Sequence, residues 1–280
     1  MKIGFVGLGN MGGPLARQIA RAGFDLTVFD AWPAAVEKLR GVAAVAANAA
    51  GAAEGATLVG VCVRDDRQVE EVVFGPGGLA ERLAPGALLL VHSTIRIETL
   101  RRLEERLAPR GIAVVDAPVS RTRPTDAAPF VFTMLGGDPA QRARALELVR
   151  TFSTEVAEIG PLGAAMALKI SNNLVSWAHI VVGRLAARLA SHYGVPHAQL
   201  EAVMRANGNL TPTVAALLTG FERNAPGANA AYEAFVTSQA GIGEKDVALA
   251  IECVEAAGLD TTVLTAVRTQ IRDTMVRTRG

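Results

Sequence analysis

Short apolar runs alternate with amphipathic stretches through the first 159 residues, and then the alternation stops. Strand-like runs rich in aliphatic and β-branched residues occupy Lys2–Val6, Leu26–Asp30, Thr57–Val63, Ala87–His92 and Ile112–Asp116. Between most of them apolar positions recur at helical spacing, as in Met11–Ala22, Arg67–Val73 and Glu98–Ala108. Strands that alternate with helices predict a parallel sheet covered by helices. Val42–Ala56 is Ala-rich and is predicted helical, because alanine has the highest helix propensity. Phe130–Leu135 predicts a further strand, and Gly136-Gly137-Asp138 a turn that caps a helix over Pro139–Arg150. Beyond Gly163 no strand alternation remains. Helices are predicted at Ala164–Ala190, His197–Ala206, Val214–Thr219, Lys245–Ala257 and Thr262–Val276, with loops at Gly208–Pro212 and Arg223–Ala230. The fold class is therefore α/β: a doubly wound sheet domain over residues 1–161, then an all-helical domain over 162–280. The Gly160-Pro161-Leu162-Gly163 break is the joint.

Composition narrows the function classes. With 280 residues, half of them hydrophobic, the chain can bury two modest cores. A net charge of +1 gives no footprint for nucleic acid or a membrane surface. Arg268, Arg272, Arg277 and Arg279 read as a solvated last helix. Cys62 and Cys253 have no metal or redox spacing and are expected to be buried thiols. The four histidines lack zinc-like spacing, so no metal is expected. No apolar run reaches the ~18 residues of a membrane span. A soluble, cytoplasmic protein is the expectation.

The first strand runs into Gly7-Leu8-Gly9-Asn10-Met11-Gly12. This G-x-G-x-x-G follows an apolar strand and opens a helix with Pro14 in its first turn. Asp30 closes the second strand 18 residues after Gly12, near the ~20 expected for an acidic group on ribose hydroxyls. Glycines let the backbone approach a pyrophosphate, and the helix N-terminus offers N–H groups and a positive dipole to it. These features predict a Rossmann-type dinucleotide site built on Gly7, Leu8, Gly9, Asn10, Met11 and Gly12. Asp30 favours NAD over NADP, since a carboxylate repels a 2′-phosphate. At the ends of the third and fourth strands, Asp65 or Asp66 is expected to cap a helix. Thr94 is balanced between a helix cap and a contact to ribose or substrate.

Of the 28 basic residues only Lys2, Lys38, Lys169 and Lys245 are lysines. Lys169 lies in an apolar helix, with Asn172 about 60° to one side of it, Asn173 about 40° to the other and Ser176 about 20° away. Lysine, unlike arginine, can lose its proton. The group therefore points to proton transfer, with amides holding a polar substrate. A lysine snorkelling to water is the alternative.

Four landmarks in order resemble the β-hydroxyacid dehydrogenases, the group that includes 3-hydroxyisobutyrate dehydrogenase and tartronate semialdehyde reductase. They are the segment Gly7 to Ala16, Asp116-Ala117-Pro118-Val119-Ser120, Gly163-x5-Lys169-x2-Asn172-Asn173, and Lys245-Asp246-Val247-Ala248-Leu249-Ala250. The resemblance implies a Rossmann domain plus a helical domain with the active site in the cleft. It implies NAD(P)-dependent interconversion of a short 3-hydroxy acid and its semialdehyde, in a homodimer or homotetramer. It makes Lys169 the catalytic lysine, Asn172 and Asn173 substrate-orienting residues, and Ser120 a binder of the acid group. Val63, Arg64, Gln68, Thr94 and Lys245 match cofactor-contacting positions.

Three departures stand out. Where the family continues Ser-Gly-Gly, this chain has Ser120-Arg121-Thr122-Arg123, similar to the sulfolactaldehyde reductase branch, whose substrate carries a sulfonate. An arginine fork can grip a larger oxyanion, and Arg121 is preferred over Arg123 because it adjoins Ser120. Gly241-Ile242-Gly243-Glu244 is less apolar than expected, and Arg184 stands where a glutamate is common. Two other functions remain in view: a non-catalytic dinucleotide-binding protein, and an imine reductase, although relatives of the latter kind carry another residue at the lysine position.

Overall fold

The computed structural model describes residues 1–122, 128–224 and 229–276. It divides into two compact units, Met1–Lys169 and Ile170–Gly280. The first unit carries β1 (Lys2–Val6), α1 (Gly12–Arg21), β2 (Asp25–Phe29), α2 (Pro33–Glu37), β3 (Ala44–Val45), α3 (Ala49–Ala53), β4 (Leu58–Val61), α4 (Asp66–Phe74), β5 (Leu88–Val91) and α5 (Ile97–Leu107). It continues with β6 (Ala113–Asp116), β7 (Val119–Arg121), β8 (Val131–Gly136), α6 (Pro139–Val149), β9 (Ser153–Gly160) and the start of α7 (Ala164–His192). The rest of α7 belongs to the second unit, with α8 (His197–Ala206), α9 (Pro212–Arg223), α10 (Ala230–Ala256) and α11 (Thr262–Val276).

Six parallel strands run in the order β3-β2-β1-β4-β5-β6. The reversal between β1 and β4 is the Rossmann switch point. Every residue of β4 and β5 is buried, as both-face coverage of a parallel sheet requires. The sheet then changes direction. β8 runs antiparallel to β6 and to β7, and β9 pairs parallel to β8. β6 and β7 are thus one strand interrupted at Ala117-Pro118. Pro118 has no N–H to give the ladder, and its carbonyl accepts from the Met134 amide at 3.1 Å. The stretch that resembles a substrate loop is therefore strand as far as Arg121.

Other expectations need correcting. Val42–Ala56 is not one helix. Ala44 and Val45 pair with Thr27 and Val28, and only Ala49–Ala53 is helical, capped by the Asn48 side chain on the Gly51 amide. Tertiary pairing overrides alanine's propensity there. β9, unforeseen, has an irregular burial pattern and two register shifts. α10 starts at Ala230, fifteen residues before Lys245, with Asn229 as its cap. The predicted loop 223–230 lies partly outside the described residues. Cys62 and Cys253 are half-buried rather than fully buried.

In the second unit, the two doubtful segments have a physical account. A Cβ at Gly243 would sit 2.8 Å from the Trp177 ring, so the glycine lets α10 approach α7 closely. The Arg184 guanidinium lies over the Phe221 ring at 4.1 Å, a cation–π contact in place of a carboxylate partner. Among the described residues no helix is long and apolar enough to cross a membrane.

His92 follows β5 inside the first unit's core. Its ring stacks on Phe5 (centroids 5.7 Å apart, 20° between planes) and meets Phe152 edge-on at 5.8 Å. Burial lowers its pKa to about 4. The folded chain thus keeps the imidazole neutral, while the unfolded chain takes up a proton as pH falls below 6.5. Stability contributed by this group is complete above pH 6.5 and declines as pH drops toward 4, by at most about 3 kcal/mol. Urea unfolding at pH 7 and pH 4.5 should show a larger acid loss for the wild type than for His92→Phe. Equal losses in both proteins would exclude the buried neutral imidazole.

Candidate active site

The glycine turn forms where β1 ends. Gly7 has φ of +93°, a conformation that disfavours side chains. Its amide donates to the Phe29 carbonyl at 3.0 Å, tying the turn to β2. A Cβ on Gly12 would collide with the Gly7 carbonyl, whereas one on Gly9 would meet nothing within 4 Å. The first and third glycines therefore close the turn, and the second leaves the backbone open to a ligand at the start of α1. Gly9 and Asn10 are exposed, and Leu8 is buried. Asp30 Oδ2 accepts from the Leu8 amide at 2.6 Å and Oδ1 from the Trp32 amide at 2.7 Å. The carboxylate is thus fixed beside the turn. This cradle fits a dinucleotide, with its pyrophosphate against the turn and the α1 N-terminus.

The other candidate cofactor residues of this unit lie at the same carboxyl edge of the sheet. The Val63 amide donates to the buried Ser93 hydroxyl at 2.8 Å, which links the ends of β4 and β5. The Arg64 amide donates to Gln68 Oε1 at 3.0 Å. Asp65 caps α4 through the Gln68 amide at 3.0 Å. Asp66 instead accepts from the Arg96 amide and the Thr99 hydroxyl, at 2.9 and 2.6 Å. The cap residue of α5 is Arg96, so Thr94 lies outside that position.

The strand break at Ala117-Pro118 organises the lysine. Asp116, fully buried, ends β6 and accepts from the Gly163 amide at 3.0 Å and the Met166 amide at 2.7 Å. It caps α7 from far away in sequence. Burial pushes its carboxyl above the usual value, and the amides of Gly163, Met166 and Ala165 pull it back down. Gly136 makes room for it, because a Cβ there would come within 2.9 Å of Asp116 Oδ2. Gly163, at φ +92°, packs against Ile97. Lys169 is buried, and its Nζ donates to Ser120 Oγ on β7 at 2.9 Å. Lys169 does not snorkel.

The neighbours of Ser120 are arranged differently from what adjacency in sequence suggests. Ser120 pairs with Phe132 and Arg121 with Val131 in a regular ladder, so their side chains point to opposite faces. Arg121 and Thr122 are exposed. The Thr122 hydroxyl donates to the Phe130 carbonyl at 3.1 Å and lies 3.2 Å from Thr154 Oγ1. Arg123 lies outside the described residues.

Further along α7, in the second unit, Asn172 is exposed and Asn173 half-buried. Asn173 Nδ2 donates to Asp246 Oδ2 at 2.8 Å, which fixes the amide's orientation. The Trp177 indole N–H reaches the same oxygen at 3.4 Å. Lys245 Nζ is 2.9 Å from Asp246 Oδ1, a close ion pair although that oxygen has no aligned hydrogen-bond donor. The Ser176 hydroxyl donates to the Asn172 carbonyl at 3.0 Å, a return to its own helix backbone. Sequence reading had assigned no site role to Asp116 or Asp246. For Asp116 a signal existed: Gly160-Pro161-Leu162-Gly163 offers α7 no capping side chain, so the cap had to come from elsewhere.

The glycine cradle on a 3-2-1-4-5-6 sheet defines an NAD-binding domain of Rossmann type, and comparison with known proteins agrees and adds the oxidoreductase class. The family of NAD binding domains of 6-phosphogluconate dehydrogenase matches residues 2–160. The NAD-dependent L-serine dehydrogenase of Pseudomonas aeruginosa is 32% identical over 93% of this chain and 87% of that one. The 3-hydroxyisobutyrate dehydrogenase of the same organism is 32% identical over 92% and 87%. The 3-sulfolactaldehyde reductase of Escherichia coli is 31% identical over 69% and 65%. A 3-hydroxyisobutyrate dehydrogenase structure from Salmonella typhimurium superimposes with a TM-score of 0.82 over 98% of this chain and 93% of that one, at 23% identity, and shares the fold. The chain belongs to the β-hydroxyacid dehydrogenase family.

Asp116→Asn would set an amide N–H₂ against one of the two helix amides and strand a buried donor. The expected loss is about 1–3 kcal/mol of unfolding free energy, read by thermal or urea denaturation. Unchanged stability would remove Asp116 as the cap that holds α7.

Proposed function

We propose that this chain interconverts a short 3-hydroxy acid and its semialdehyde, with NAD as cofactor and Lys169 as the proton-transfer group. The observation that carries the proposal is the buried Lys169 amine on the Ser120 hydroxyl, on a helix pinned by Asp116. Gly7, Leu8, Gly9, Asn10, Met11, Gly12, Asp30, Val63, Arg64, Gln68 and Thr94 would hold the cofactor, and Lys245 matches a further cofactor-contacting position of the family. Bound NAD would supply the hydride acceptor and NADH the donor. The fixed Asp30 carboxylate favours ribose hydroxyls and repels a 2′-phosphate, which supports NAD over NADP.

In oxidation the neutral Lys169 amine takes the substrate hydroxyl proton. In reduction the ammonium stabilises the negative charge growing on the carbonyl oxygen and returns that proton. Ser120 orients the amine and meets the substrate's acid group. Asn172 and Asn173 orient the hydroxyl, with Asn173 aimed by Asp246. Residues 1–161 act as the NAD-binding domain and 162–280 as the substrate and oligomerisation domain. Val175, Val182, Leu185 and Leu189 leave an exposed apolar line along α7 at helical spacing, which supports a homodimer or homotetramer. A cytoplasmic location is part of the same reading.

A sulfonate-bearing aldehyde is the second reading, favoured by Arg121-Thr122 in place of glycines and by the sulfolactaldehyde reductase relative. The strand alternation that separates Arg121 from Ser120 weighs toward a carboxylate tail instead. Ser176 and Thr122 spend their hydroxyl protons on the Asn172 and Phe130 backbone carbonyls, which leaves them as lesser contributors to substrate binding.

Lys169→Arg keeps the charge but cannot release a proton. Its kcat should fall ~10²–10⁴-fold, with NADH affinity, read by fluorescence titration, unchanged within twofold. Turnover near the wild-type rate would sink the proton-transfer role. Arg121→Ala should change kcat/KM by less than about threefold on both carboxylate and sulfonate semialdehydes. A loss confined to the sulfonate substrate would establish the second reading.

A further inference from the structure

Ala117 is the hinge of the interrupted strand, and the last residue of β5 and the one that follows it hold both of its backbone groups. The Ala117 amide donates to the Val91 carbonyl at 2.9 Å. The Ala117 carbonyl lies 2.8 Å from His92 Nδ1. A carbonyl oxygen only accepts, so Nδ1 carries the proton and Nε2 the lone pair. Nε2 is buried with no hydrogen-bond partner, in a slot between Phe5 and Phe152. A Cβ at Gly60 would stand 3.2 Å from Nε2 and 2.7 Å from the Phe5 ring, so the glycine is what admits the imidazole. An imidazole in so apolar a slot needs a reason beyond packing, since a phenyl ring would fill the same volume without an orphaned acceptor.

The reason lies on the two sides of the hydrogen bond. Asp116, immediately before Ala117, caps α7 and sets where Lys169 starts from. Ser120, three residues after it, accepts from Lys169 Nζ. We propose that His92 is a positioning residue for the Lys169–Ser120 pair, its Nδ1–H fixing the Ala117 carbonyl and with it the strand break that carries both Asp116 and Ser120. This rests on Lys169 being the proton-transfer group. His92 touches neither cofactor nor substrate in this assignment. It acts through the backbone. Losing its proton donor frees the Ala117 peptide to rotate, which moves the lysine's partner and the helix cap together.

His92→Phe keeps the aromatic slot filled and deletes the donor. His92→Asn restores an N–H at the place of Nδ1. For oxidation of 3-hydroxyisobutyrate and of L-serine with NAD, His92→Phe should lower kcat at least tenfold, and His92→Asn should recover it to within threefold of wild type. NADH affinity should stay within twofold in both. Near-normal kcat in His92→Phe, or no recovery in His92→Asn, would overturn the proposal. A second readout needs no turnover. Amide hydrogen exchange at residues 116–120 and 163–166 should accelerate at least tenfold in His92→Phe and return toward wild type in His92→Asn, with the remaining strands unchanged. Unaltered exchange there would overturn the positioning role even if Lys169→Arg has already removed the lysine from the chemistry. If His92→Phe fails to fold, ¹⁵N spectra of the wild-type imidazole decide: an Nδ1–H tautomer is expected, and an Nε2–H tautomer would refute the hydrogen bond on which the assignment stands.

Discussion

Two backbone amides at the start of α7 close onto one buried carboxylate, and the placement of Lys169 follows from that contact. Asp116 sits at the end of a central strand, and the helix that begins at Ala164 has no cap of its own. A helix without a cap leaves its first N–H groups unsatisfied, which is costly where they are buried. By answering them from the sheet, Asp116 converts a local need of the helix into a fixed distance between sheet and helix. Lys169 stands in the second turn of α7, close enough to inherit that fix. The carboxylate in turn depends on Gly136, whose missing side chain is the space it occupies.

The same logic recurs at the cofactor edge. Leu8 and Trp32 amides hold Asp30, Ser93 holds the Val63 amide, and Gln68 holds the Arg64 amide. Each is a side chain from one strand end or helix turn answering a backbone group near another. Loops at the carboxyl ends of parallel strands have few partners from the ladder itself. Side chains at these positions therefore determine loop shape before any ligand arrives, and a shaped loop costs less to organise on binding.

Much of this was legible in the sequence. β1, α8 and α11 appear at the ends expected for them, and the glycine turn, Asp30 and Lys169 announce themselves by spacing and by the scarcity of lysine. What escaped was non-local. β3 is defined by its pairing with Thr27 and Val28, which alanine's helix preference conceals. β9 is an irregular edge with two register shifts, so period-two alternation never develops. β7 was hidden inside a motif that reads as a loop, and its strand geometry is what turns Arg121 away from Ser120. The role of Asp116 required knowing which strand end faces which helix start, a fact of topology rather than of composition.

Consider finally the interruption at Pro118. A continuous strand would have offered Asp116 and Ser120 as two independent points on a stiff ladder. Broken there, they become the two ends of a single short lever, with its fulcrum at Ala117. Drift at the fulcrum displaces acid and alcohol in concert, so neither can be retuned alone. Freedom to vary is then left past the lever's far end, where Arg121 and Thr122 lie exposed.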